Sequence, residues 1–289
     1  MRKNRCSVHE INHEFKFFWV VALPAEAHVL IKKFHLKKYS NFSKLPIYIN
    51  RENGHALVIS GVGSIKSAVA TMYLNNAFNP GQFAAWINIG IAGHFQGPVG
   101  TLFQAIKVVN NDNGKFFFPG LRFSKLAKAA ELYTVSSPES EFSLPVLYDM
   151  EAAGFCEIAP SLSCNELTFV LKIVSDTSAH SQSLVTKKMI TDLFEENSTI
   201  IDHLLQAIAN VVTREEVRLG DPVEMDEIMS SFHFTETNRL RFRKVYKKWW
   251  CLFPDKSLVD TAQKASSARD LMQRMELDIA SETQSWKLK

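Results

Sequence analysis

The sequence predicts an α/β fold, a three-layer αβα sandwich around a mixed sheet, followed by a helical C-terminal extension. Two observations carry this prediction. Between residues 15 and 214, short apolar runs of strand length alternate with stretches of helical periodicity, the pattern of a sheet covered by helices on both faces. Several of those runs also stop abruptly at glycine or small polar residues, as buried strands do where a sheet opens onto a surface. Residues 215–289 show helical patterns without further strands.

Residues 15–23 read as the first strand, and 25–34 as a helix with Pro24 well suited to its first position. Residues 47–50 and 56–60 form a hairpin pattern around Asn53-Gly54, a strong turn signal. Gly61-Val62-Gly63 then opens a helix over 64–76. A strand over 84–90, a glycine turn over 91–94 and a strand over 101–109 follow. Helices are expected at 124–132 and 150–159, a strand at 168–174 and one long helix at 184–212.

Composition bounds the function. Hydrophobic content of 46% and charged content of 22% are those of an ordinary globular protein, and a net charge of +3 does not by itself point to nucleic acid. Cys6, Cys156, Cys164 and Cys251 lie far apart without a Cys-x-x-Cys pair. Reduced thiols in a cytoplasmic protein are therefore expected, rather than a disulfide framework or a zinc site. No run of eighteen apolar residues suggests a membrane span. His9-Glu10-Ile11-Asn12-His13 formally matches a zinc-protease pattern, but it lies in a polar leader with no further ligand. Arg2, Lys3 and Arg5 before an apolar run resemble a signal peptide, yet Glu10, Glu14 and Lys16 interrupt the approach.

The most informative stretch is FVLKIVSDTSA, residues 169–179. A strand ending in Ser-Asp puts Asp176 at the mouth of a site, where partial desolvation raises a carboxylate's pKa and lets it carry a proton near neutrality. The competing reading is an N-cap for the helical pattern beginning at Ser181. Two glycine segments, Gly61-Val62-Gly63 and Gly90-Ile91-Ala92-Gly93, follow strands and would let a ligand approach the backbone. Neither matches a dinucleotide or phosphate-loop fingerprint. At Asp149-Met150-Glu151-Ala152-Ala153-Gly154 two acids begin a helix, where they would also stabilise its dipole.

In combination, Ala22-Leu23-Pro24-Ala25-Glu26, Ser60-Gly61-Val62-Gly63, Asn88-Ile89-Gly90-Ile91-Ala92-Gly93, Asp149-Met150-Glu151-Ala152 and Ser175-Asp176 resemble the nucleoside phosphorylase/nucleosidase superfamily. The closest branch is the hydrolases of 5′-methylthioadenosine and S-adenosylhomocysteine. The resemblance implies hydrolysis of the N-glycosidic bond of a purine nucleoside or related compound, without metal or organic cofactor, in a homodimer. It gives Glu26 the activation of water and gives Asp176, supported by Ser175, protonation of the leaving base. Glu151 would accept hydrogen bonds from the ribose hydroxyls, Met150 would form an apolar floor, and Gly90, Ile91 and Ala92 would line the substrate.

Departures from the family pattern bear on the nucleophile and the substrate. Ile91 and His94 replace a hydroxyl residue and a glycine in the family turn, and Arg51 is the one arginine near the glycine segments. Both weigh towards water rather than phosphate. Phosphorolysis remains the alternative activity, and a nucleoside-binding protein without turnover the alternative class. The segment over 110–142 is shorter than is usual, leaving Phe142, Tyr133 and Phe117 as candidates to stack on the base.

The C-terminal extension carries a basic stretch, residues 239–250, with Phe242, Tyr246 and Trp249 at helical spacing. This reads as an apolar stripe docking a basic-faced helix on the main domain. A sharper reading has the cations on nucleic-acid phosphates and the aromatics on bases; an acidic partner or membrane surface is a third. A further amphipathic helix is expected over 257–277.

Overall fold

A computed structural model describes residues 15–40, 43–139, 142, 144–178, 185–221 and 224–287. The His9-to-His13 match, the charged leader and Cys6 lie outside the described residues. The chain divides into two compact units, one up to Glu215 and one from Glu216 onward.

The first unit runs β1 (Phe17–Val21), α1 (Pro24–Lys33), β2 (Lys37–Lys38), β3 (Ile47–Asn50), β4 (His55–Ile59), α2 (Ser64–Phe78), β5 (Ala85–His94), β6 (Leu102–Asn110), β7 (Phe116–Phe117), β8 (Lys128–Thr134), β9 (Leu147–Asp149), α3 (Ala152–Leu162), β10 (Thr168–Thr177), α4 (Lys187–Glu196) and α5 (Ser198–Leu219). The strands form one mixed sheet in the order β10-β6-β8-β9-β5-β1-β4-β3-β2. Because β10 also pairs with β5, the five strands β5, β10, β6, β8 and β9 close into a ring. The parallel strands β4, β1, β5 and β10 bring their carboxyl ends to one side.

Helices cover both faces. Trp19, Ile87 and Phe169 point with Leu30, Phe194 and Leu204 into one core, while Phe18, Trp86 and Val170 pack with Leu74 and Phe155 in the other. Side chains alternate between faces along a strand, and here both faces are buried. That is why these strands read as unbroken apolar runs.

Five expectations change. The helix expected at 124–132 is instead β8, because Ala129, Ala130 and Leu132 pair in register with β6 and tertiary pairing overrides helix propensity. The glycine turn at 91–94 is the continuation of β5, held by pairing of Ile91 with Ile173 and of Gly93 with Asp176. The single helix expected from 184 breaks between α4 and α5. There the Asn197 amide donates to the carbonyls of Gly100 and Leu193, at 2.8 and 2.9 Å.

The fourth and fifth changes lie in the second unit, made of α6 (Glu224–Ser231), α7 (Glu236–Leu252), α8 (Leu258–Gln263) and α9 (Ala268–Lys287). Phe242, Tyr246 and Trp249 are buried against Phe234, Leu258, Leu271 and Met275 of their own unit. The stripe expected to dock on the main domain therefore builds this small core. Burial also removes these three aromatics from stacking on bases, and Arg241, Arg243 and Lys247 form ion pairs with Glu276 and Asp221. The helix expected over 257–277 divides into α8 and α9, each with its own start. Among the described residues no helix is long and apolar enough to cross a membrane.

Candidate active site

A cavity of about 130 Å³ lies at the carboxyl ends of the parallel strands. Open α/β sheets bind their ligands at this end. Glu26, Ile91, Ala92, Phe142, Met150, Glu151, Ser175 and Asp176 all line it. Gly90 does not; it lies beneath Glu26.

Asp176 stays within β10 rather than capping a helix, so the N-cap reading is overturned; Thr186 caps α4 instead, accepting from the Met189 amide. The pairing of β10 with β5 slips between Val174 and Asp176, leaving Ser175 as the extra residue of a bulge. A bulge re-aims the side chains beside it. Ser175 Oγ donates to Asp176 Oδ1 at 2.5 Å. Burial raises the Asp176 pKa, and the Ser175 hydrogen bond opposes that rise only in part.

Glu26 reaches the cavity from the first turn of α1. Its Oε2 accepts from the Leu23 amide at 2.8 Å and its Oε1 from the Ile91 amide at 2.9 Å. Both bonds favour the charged form, but complete burial outweighs them and pushes its pKa up to about 7. A methyl group on Gly90 would meet Glu26 Oε1 at 2.9 Å. The absence of a side chain on Gly90 thus lets Glu26 approach the backbone of β5. Gly93 does the same for Phe142, whose ring a methyl group would meet at 2.5 Å, beside Asp176 Oδ2 at 3.1 Å.

Glu151 begins α3 and accepts from the Gly63 amide at the start of α2, at 2.9 Å. Burial, and secondarily the Asp149 charge, raise its pKa. Behind it, Asp149 accepts from Lys172 Nζ at 2.8 Å, from Thr134 Oγ1 at 2.7 Å and from the Ala152 amide at 2.9 Å. Lys172 is 1% exposed. Burial disfavours its charge, yet Asp149, Glu151 and Glu26 together outweigh that cost and raise its pKa.

Of the three stacking candidates Phe142 alone lines the cavity. Tyr133 packs on Tyr148 at 6.2 Å, and Phe117 borders a separate hollow with Pro160 and Thr168. Sequence reasoning missed Lys172, Tyr148 and Val135. The lysine inside the apolar run FVLKIV was the one available signal, since a buried lysine demands an acidic partner. Among the described residues no group of three or more His, Cys, Asp or Glu is arranged to hold a metal ion.

Solved structures share this architecture. The 5′-methylthioadenosine nucleosidase of Arabidopsis thaliana matches with a TM-score of 0.57 at 20% identity, over 67% of this chain and 96% of that one. This chain has the fold of that nucleosidase. The 5′-methylthioadenosine/S-adenosylhomocysteine nucleosidase of S. pneumoniae matches with a TM-score of 0.53 at 19% identity, over 65% of this chain and 96% of that one. A futalosine hydrolase mutant of Helicobacter pylori matches with a TM-score of 0.51 at 12% identity, over 65% and 99%. No family model and no curated protein sequence matches.

Proposed function

We propose that this protein hydrolyses the N-glycosidic bond of a purine nucleoside or a related compound, releasing the base and the free sugar. The observation that carries this reading is the pair of carboxyl groups in one cavity whose pKa values burial raises, Glu26 anchored at Ile91 and Asp176 beside Gly93. Two acids held at different points of one cavity can divide the proton tasks, one activating water and the other protonating the leaving group.

In this mechanism Glu26 takes a proton from water as the water attacks the sugar carbon. Asp176 gives its proton to the base, which leaves neutral. Glu151 accepts hydrogen bonds from the ribose diol, and its charge favours the positive sugar of the transition state. Met150 supports the sugar and Phe142 the base. Water is favoured over phosphate because Glu26, Glu139, Asp149, Glu151 and Asp176 line the cavity without an arginine among its described lining residues. An anion entering such a site meets carboxyl groups and no arginine to hold it.

Homodimer assembly belongs to the same proposal. Its support is the exposed apolar run Val62, Ile65 and Val69 at the start of α2, beside the cavity. Light scattering on the purified chain reads it directly. The activity is tested by incubating the protein with a panel of purine nucleosides and 5′-substituted analogues and following free base chromatographically. Release of base from at least one of them is expected. Tight binding without release across the panel would instead favour a nucleoside-binding protein without turnover.

A further inference from the structure

Lys172 and Asp149 form a fully buried ion pair at the wall of the cavity, which Asp149 lines, with side-chain exposures of 1% and 0%. A buried pair of this kind stabilises a fold little, because desolvating two ions offsets their attraction and an apolar pair of the same volume often does as well. Its surroundings are nevertheless built with care. Thr134, itself buried, donates to one Asp149 oxygen and accepts from the Ala153 amide at 3.0 Å. The other Asp149 oxygen takes Lys172 and the Ala152 amide. Lys172 sits opposite Gly90 in the pairing of β10 with β5. A methyl group on Gly90 would meet Lys172 Nζ at 3.5 Å and Glu26 Oε1 at 2.9 Å. The ammonium therefore has Asp149 on one side and the Glu26 carboxylate on another, with no side chain on Gly90 to separate them.

We propose that Lys172 and Asp149 are positioning residues of the active site, a clamped cation and counter-ion that together set the charge under which Glu26 exchanges its proton. The proposal rests on the function proposed above for its meaning, but not for its measurement. The charged groups around Glu26 are Lys172 and Asp176 on β10, Glu151 at the start of α3, Asp149 on β9 and, across the cavity, Glu139 between β8 and β9; the Ile91 and Leu23 amides donate to it. Lys172 is the cation among them. Asp149 draws it towards Thr134 and α3, so only part of its field reaches Glu26.

Two substitutions should consequently move Glu26 in opposite directions. Removing the cation, as in Lys172→Met, leaves Glu26 harder to ionise. Removing the counter-ion without changing its shape, as in Asp149→Asn, frees Lys172 to act on Glu26, which then ionises more readily. A merely structural pair would lower activity in both variants without opposing titration shifts.

The experiment is a pH titration of the ligand-free full chain, labelled with ¹³C at the glutamate carboxyl carbon, with Glu26→Gln used to assign the signal. An opposite charge at this range moves a carboxyl by roughly 1–3 pH units. Lys172→Met is expected to raise the Glu26 midpoint by about one unit or more, and Asp149→Asn to lower it by a smaller amount. Since Lys172→Met strands a buried carboxylate, the double variant Lys172→Met/Asp149→Asn guards against misfolding and should fall between the wild type and Lys172→Met. An unchanged or raised midpoint in Asp149→Asn would overturn the proposal. The titration uses no substrate, so its failure is separable from a failure to hydrolyse nucleosides.

Discussion

Asp176 illustrates how much of the site rests on single atoms. A carboxyl that must hold a proton cannot be replaced by an amide of the same shape, so Asp176→Asn should lower kcat at least about 100-fold with little change in KM. Glu26→Gln should do the same through loss of the base. Glu151→Gln should raise KM as well, because its carboxylate is assigned to the ribose diol. Steady-state kinetics on the nucleoside that releases base fastest checks all three. Glu26 also carries a stability signature. Its folded pKa of about 7 lies above the ordinary 4.5, so the folded state holds an extra proton between those values. That contribution is present below pH 4.5 and is lost as pH rises through 7, by about 3 kcal/mol for a shift of this size. His55 acts in the opposite sense. Stacked between Phe17 and Phe34 and accepting from Trp19 Nε1 at 3.0 Å, it is pushed by burial down to about 4. Its contribution is full above pH 6.5 and falls as pH drops towards 4. Glu26→Gln should therefore gain stability relative to the wild type between pH 5 and pH 8, measured by urea unfolding at each pH. Asp176, Glu26 and Glu151 were legible in the sequence because each sits in a short motif. Lys172 was not, because a lysine in an apolar run gives no sign of where its acidic partner lies.

Elements bring those residues together, and α2 and α3 approach closely at Gly154. A methyl group on Gly154 would fall 1.9 Å from the Ser64 carbonyl oxygen, a backbone atom that cannot turn aside. Gly154→Ala should thus cost on the order of 1–3 kcal/mol by overpacking. It should also weaken catalysis by shifting Glu151 away from the Gly63 amide. Thermal unfolding and kcat on the same variant test both parts. Strand and helix order over β1 to α2 was legible, since Pro24, Asn53-Gly54 and Gly61 punctuate it. The segment over 124–132 was not, because Lys-Ala-Ala-Glu-Leu carries helix propensity and its strand state depends on β6, far away in sequence. The bulge at Ser175 was equally hidden, since it exists only in the pairing with β5.

At the scale of the whole molecule each of the two units has apolar core of its own. In the second unit Trp249 is fully buried and donates to Asp278 at 2.7 Å, whereas its neighbour Trp250 is 37% exposed. Trp249→Ala should destabilise the helical unit by about 3–5 kcal/mol and Trp250→Ala far less, read from urea unfolding followed by helical circular dichroism. The aromatic spacing announced this helix but not its partners, because an apolar stripe does not say which surface covers it. The acidic cavity of the first unit makes the larger claim, that water and not phosphate attacks the sugar. Product analysis of one reaction, run with and without inorganic phosphate and resolved by phosphorus and proton NMR, tests it most directly. The expected result is free base with unphosphorylated sugar at a rate phosphate does not increase; phosphate-dependent formation of the sugar 1-phosphate would contradict it.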